Sequence, residues 1–230
     1  MPSNSVLVVA AHPDDEVLGC GGTIARHSRE GDAVTVVIVC EGESLRYGPG
    51  GVNQGEDIRA AADVLGVEEI HRLDFPDQRL DDFSLSEIIE PLVRVVEETR
   101  PRVVYTQYGG DYNRDHEAVF DAVEVATRPT VSSIRRVYAY HTPSSTEWAY
   151  PRTFVPDTWV DISATLDTKL EAMACYESEL RDYPHPRSLE ALEDRMKTWG
   201  SEACLEAAEV FMTVRSVVRA EDAVEPNEIP

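Results

Sequence analysis

The sequence predicts an α/β fold, with a mostly parallel sheet flanked by helices in a single domain. Three observations carry that prediction. Continuous apolar runs recur along the chain, Val6–Ala11 and Ala33–Val39 being the clearest, and such runs mark strands buried on both faces. Segments of helical periodicity alternate with them at the spacing of right-handed crossover units. The 230 residues, 42% hydrophobic and 28% charged, suffice for one large core and exclude a disordered chain.

The elements follow in order. After the strand Val6–Ala11 and a polar turn, Gly19–Ser28 reads as a helix stopped by Gly31, and Ala33–Val39 is the second strand. Glu41–Gly55, charged and rich in glycine around Pro49, is a loop long enough to carry function. Asp57–Leu65 is helical and ended by Gly66, Glu69–Leu73 is a short strand, and Leu85–Thr99 is an amphipathic helix. Arg102–Thr106 is a strand, Asp115–Thr127 a helix and Val137–Tyr140 a strand. Thr142–Pro156 is irregular, rich in Pro, Ser and aromatic residues. Leu166–Leu180 and Leu189–Val218 read as long helices around a proline-bearing connection. They could pack on the sheet or on another subunit, which leaves an oligomer open. The domain is taken as residues 1–220, and 221–230 as an acidic, frayed tail.

Composition narrows the partners. Asp and Glu total 43 against 21 Lys and Arg, a formal net charge of −22, which argues against phosphate-held nucleic acid and against an anionic membrane surface. Only Lys169 and Lys197 are lysines, a scarcity that suits either a high-salt cytoplasm or GC-rich coding. Cys20, Cys40, Cys175 and Cys204 form no C-x-x-C pair, as expected of reduced thiols in a cytoplasm. No apolar stretch near the start is long enough for a signal-peptide core or a membrane span.

In a Rossmann-like sheet, ligands bind beyond the carboxyl ends of the strands. That edge receives Ala11-His12-Pro13-Asp14-Asp15-Glu16. One imidazole and three carboxylates so close together must be neutralised by a cation, protonated or splayed into solvent. A divalent metal of zinc's class fits the donor types; the plainer alternative is an acidic turn capping the next helix through Asp14 or Asp15. Asp111-Tyr112-Asn113-Arg114-Asp115-His116 brings a second histidine to the same edge. Two histidines and one aspartate leave a coordination position open for water, the catalytic form of a zinc site. Gly19-Cys20-Gly21-Gly22 does not complete a dinucleotide fingerprint, because Ile24 stands where the third glycine belongs.

The blocks AHPDDEVLGCGGTIARH, FPDQRLDD, YTQYGGDYNRDHEAVFDAV, TPSSTEW, PHPRS and AEVF together resemble the PIG-L/LmbE-like family of zinc-dependent N-acetylglucosaminyl deacetylases, over nearly the whole chain. The resemblance implies one Zn2+ per chain held by His12, Asp15 and His116, while the ligand types alone leave Fe2+ or Co2+ open. It also implies that Asp14 is the general base for a water activated by the zinc, which removes the N-acetyl group of an amino sugar or sugar conjugate. Many members carry His-Pro-Asp-His where this chain has Asn113-Arg114-Asp115-His116. Asn113 can donate a hydrogen bond to an oxyanion or substrate but cannot shuttle a proton. His185 is the candidate for that help, and Asp115 for orienting a ligand histidine or capping the helix. Arg46 and Arg187 are candidates for substrate contact, and Trp148 could stack on a sugar or simply pack. Two rivals stand beside this reading: an amidase for a larger thiol or antibiotic conjugate, and a metal-bearing binding protein without turnover.

Overall fold

The computed structural model describes residues 4–43 and 54–220; Arg46 and the tail 221–230 lie outside the described residues. The chain runs β1 (Ser5–Ala10), α1 (Asp15–Glu30), β2 (Ala33–Cys40), α2 (Gln54–Leu65), β3 (Glu69–Phe75), α3 (Leu85–Thr99) and β4 (Val103–Gln107). It continues with α4 (Arg114–Ala126), β5 (Arg136–Tyr140), β6 (Thr158–Asp161), α5 (Leu166–Ala174), α6 (Leu189–Glu202) and β7 (Ala208–Ser216). One seven-stranded sheet has the order β3-β2-β1-β4-β5-β7-β6. The first five pair in parallel, while β7 is antiparallel to both β5 and β6.

β1 shows why continuous apolar runs are needed. Val6, Val8 and Ala10 enter one core with α1, while Leu7, Val9 and Ala11 enter the other with α3 and α4. Burial on both faces forbids the polar alternation of a half-exposed strand. The helix ends follow local chemistry too: Ser84 and Glu87 form a capping box on α3, and Gly31 closes α1 at φ 86. Close packing fixes one glycine, since a Cβ on Gly19 would lie 2.1 Å from the Tyr140 ring.

Three expectations need correction. The helix after the first strand starts at Asp15 rather than Gly19, so the acidic turn is already its first turn. The helix expected over Leu189–Val218 ends at Glu202, and Ala208–Ser216 is a strand inside the sheet. A short apolar run does not separate the two periods. The break is made where the chain folds back across Gly200, on which a Cβ would lie 2.8 Å from the Ala207 backbone, and at Cys204, φ 58. The helix expected over Leu166–Leu180 stops at Ala174, and the four-residue β6 joins the sheet ahead of it. α5 packs on α1 and α2, and α6 on β6 and β7, so both cover the chain's own sheet and helices. No helix among the described residues is long and apolar enough to cross a membrane.

Candidate metal centre and its cavity

The strand order reverses at β1, with β2 on one side and β4 on the other, which opens a crevice beyond their carboxyl ends. His12 follows β1 there; Asp15 and His116 lie in the first turns of α1 and α4. His12 Nδ1 and His116 Nε2 each lie 3.2 Å from Asp15 Oδ2. One donor atom from each of the three lies within 4.8 Å of the others, and all three residues are buried. Asp15 Oδ2 also accepts hydrogen bonds from the His12 amide and from Gln107 Nε2, both 2.9 Å. Gln107, at the end of β4, carries no signal in the sequence that marks this contact.

The charges are arranged to favour a cation. Burial opposes ionisation of Asp15, yet His116 and His12 hold its carboxyl well below the usual range. Burial likewise disfavours a charged His116, but Asp15 and Asp111 push it up to about 9. His12 is raised against its own burial by Asp115 and Asp15. Carboxylates thus concentrate negative potential where two imidazoles and one carboxylate converge, and this donor set suits a borderline divalent ion.

The nitrogen of each imidazole turned away from Asp15 meets a carboxylate. His12 Nε2 lies 3.0 Å from Asp115 Oδ2, and Asp115 Oδ1 accepts the Leu80 amide at 3.1 Å. His116 Nδ1 lies 3.2 Å from Asp111 Oδ1. Asp111 is held by the Ser145 hydroxyl, by Thr146 Oγ1 at 2.5 Å and by the Asn113 amide at 2.9 Å. Asp111 is therefore the partner of His116, a role its sequence position did not reveal; only its place beside a glycine pair at the ligand edge hinted at it. Of the two readings of Asp115, the structure gives the histidine contact. The cap of α4 belongs instead to Asn113, whose Oδ1 accepts the Asp115 amide at 2.9 Å. That commits its carbonyl oxygen and leaves Nδ2 as the atom able to donate into the cavity.

Asp14 sits in left-handed backbone, φ 94, between His12 and Asp15 in sequence. Burial and the neighbouring Asp15 charge raise its carboxyl well above the usual range, against Arg187. Arg187 Nη1 donates to Asp14 Oδ2 at 3.2 Å and to Glu179 Oε2 at 2.8 Å. The guanidinium expected to meet substrate is thus engaged with Asp14. The Arg187 amide donates to His185 Nδ1 at 3.1 Å, and the His185 ring stands edge-on to Trp148, centroids 6.0 Å apart. Partial burial and Arg187 lower the His185 imidazole below its ordinary value. A cavity of about 460 Å³ opens over the three converging residues, with Asp14, Asn113, Trp148, His185 and Arg187 on its walls.

A family model described as PIG-L, GlcNAc-PI de-N-acetylase, matches residues 7–127. The chain is 32% identical over 154 residues to an uncharacterised deacetylase, YaiS, of Escherichia coli K12, covering 65% of this chain and 80% of that protein. It is 29% identical over 188 residues to diacetylchitobiose deacetylase of Thermococcus kodakarensis, covering 76% and 69%. The solved structure of the 4-carboxy-2-hydroxymuconate hydratase of Pseudomonas putida KT2440 has the same fold, with TM-score 0.74 and 24% identity, over 96% of this chain and 100% of that one.

Proposed function

The chain belongs to the PIG-L family, and from that premise we propose that it is a metal-dependent hydrolase that removes the N-acetyl group from an N-acetylated amino sugar or sugar conjugate. What supports the reading is the convergence of His12, Asp15 and His116 at the floor of a cavity whose wall carries Asp14. Those three residues would hold a zinc ion, and Fe2+ or Co2+ suits the same donors. When bound, the ion supplies Lewis acidity, which makes a water acidic near neutral pH and polarises a carbonyl.

Asp14 takes the proton of the water that adds to the acetyl carbonyl carbon. Its carboxylate is carried on the turn between two candidate ligands, and Arg187 Nη1 donates to it. Asn113 Nδ2 donates to the oxygen as negative charge grows there. When the C–N bond breaks, the amine nitrogen leaves with the proton that Asp14 returns, giving acetate and a free amino sugar. His185, low in basicity, binds substrate from the cavity wall as a hydrogen-bonding ring. The four described cysteines are free thiols, which supports a cytoplasmic site of action.

Elemental analysis of protein purified without added metal or chelator tests the site, and acetate release from N-acetylglucosamine conjugates tests the reaction. About one ion per chain with acetate release sustains both. No metal bound, and none taken up on titration, removes the reading. The assay also separates hydrolysis from water addition to an alkene, the reaction class of the hydratase that shares this fold, because only amide cleavage yields acetate and an amine.

A further inference from the structure

The candidate metal centre uses one edge of the His12 ring, and the other edge is crowded. Three side chains converge on Nε2: Asp115 Oδ2 and Gln78 Nε2, both at 3.0 Å, and Asp77 Oδ1 at 3.4 Å. An imidazole nitrogen carries one hydrogen or one lone pair, so it can bond one of the three at a time. Cys40 completes the group, with Sγ 3.6 Å from Asp115 Oδ2. His12, Cys40, Asp77 and Asp115 are all buried.

Four segments at the carboxyl edge of the sheet meet there. His12 follows β1, Cys40 ends β2, Asp77 follows β3, and Asp115 lies in the first turn of α4. The Cys40 amide donates to the Ala11 carbonyl at 2.8 Å, which sets it beside His12, and the Asp77 amide donates to Glu41 Oε1 at 3.1 Å. One donor atom each from His12, Cys40 and Asp115 falls within 4.8 Å of the others. Around a tetrahedral ion with bonds of about 2.0–2.3 Å, neighbouring ligand atoms stand about 3.3–3.6 Å apart. The separations of 3.0, 3.4 and 3.6 Å fall around that spacing. Buried carboxylates gathered at one edge of an imidazole call for a cation, and a thiol among them selects zinc's class over magnesium or calcium. His12, Gln78 and Asp115 line the first cavity, which gives an ion its way in.

We propose that this cluster is a second metal site, in which His12 Nε2, Cys40 Sγ, Asp115 Oδ2 and Asp77 Oδ1 hold a divalent ion of zinc's class while His12 Nδ1 holds the first. Coordination takes the protons of the thiol and of the shared imidazole, which pass to water. The inference rests on the metal centre and not on the reaction assigned to it. Cobalt tells the two ions apart, because only the second has a sulfur ligand and hence a thiolate-to-cobalt charge-transfer band in the near ultraviolet. Chelator-stripped protein carrying Cys175→Ser and Cys204→Ser, which removes the two less buried thiols, is titrated with Co2+. Two equivalents are expected, with the band belonging to one of them. Adding Cys40→Ser abolishes the band and that equivalent and keeps the other. Asp77→Asn leaves the thiol in place, moves the band to higher cobalt concentration, and decides the matter if Cys40→Ser fails to fold. A single equivalent, with or without the band, overturns the second site. So does a band that survives Cys40→Ser or is unmoved by Asp77→Asn. No equivalent at all removes the first site as well, while acetate release by the unaltered protein, read separately, keeps or removes the hydrolase reading by itself.

Discussion

Lys169 and Glu209 lie 2.5 Å apart with no solvent exposure, at the point where α1 breaks. Cys20, φ −146 and ψ 24, interrupts the helix three turns before its end and frees backbone groups on both sides. Lys169 Nζ donates to the Val17 and Leu18 carbonyls at 2.8 and 2.9 Å. Glu209 accepts the Gly22 and Thr23 amides at 2.9 and 2.7 Å. One residue from α5 and one from β7 thus replace the hydrogen bonds the helix lost, and the first turn, with Asp15, is held at its own angle.

Removing one partner strands the other charge in the core. Lys169→Met is expected to lower stability by about 3–5 kcal/mol, the range for breaking a buried ion pair. Urea unfolding measures it. A loss under 1 kcal/mol would mean that the pair does not bridge the break.

Asp111 backs His116 and is itself held by Thr146. Asp111→Asn is expected to weaken metal binding about 10–100-fold, the usual effect of losing such an orienting partner. Competition against a chromophoric chelator reads this directly. Unchanged affinity would reduce Asp111 to a loop contact.

Asp14→Asn keeps the shape of the turn and removes the proton acceptor. The expected result is normal metal content with kcat lowered about 10²–10⁴-fold, the span of general acid–base catalysis. A near-normal kcat would end the assignment of Asp14 as the base.

His141, at the end of β5, is pushed down to about 4 by burial first and by Arg195 second, with Glu147 acting the other way. Arg195 Nη1 lies 3.4 Å from His141 Nε2, so the neutral ring is the form the fold accommodates. The unfolded chain gains a proton near pH 6.5 while the folded one resists until about pH 4. Stability from this group is therefore complete above pH 6.5 and is lost as the pH falls to 4, by about 3 kcal/mol. Chemical denaturation across that window should show His141→Gln gaining on the parent protein by that amount, because Glu16, raised to about 7, acts the other way in both proteins.

With Lys169 buried, Lys197 is the only lysine left for the surface of a chain whose formal net charge is −22. Added salt screens such self-repulsion, with a Debye length of about 3 Å at 1 M. The thermal midpoint is expected to rise in molar KCl, and a flat or falling midpoint would leave the acidic surface unexplained by salt adaptation.

The sequence by itself determined the elements whose pattern is local: the doubly buried β1 and β2, the capped α3, and the glycine stops at Gly31 and Gly66. It also brought His12, Asp14, Asp15 and His116 to one edge, because strand–helix alternation fixes which loops share that edge. Tertiary structure decided what depends on distant partners. Ala208–Ser216 became a strand because β5 and β6 pair with it, something no period within a short apolar run encodes. The link of Asp111 to His116, the capture of Arg187 by Asp14 and Glu179, and the pairing of Lys169 with Glu209 were equally illegible. Each joins groups whose contact costs desolvation unless the geometry is met, and only the folded chain sets that geometry.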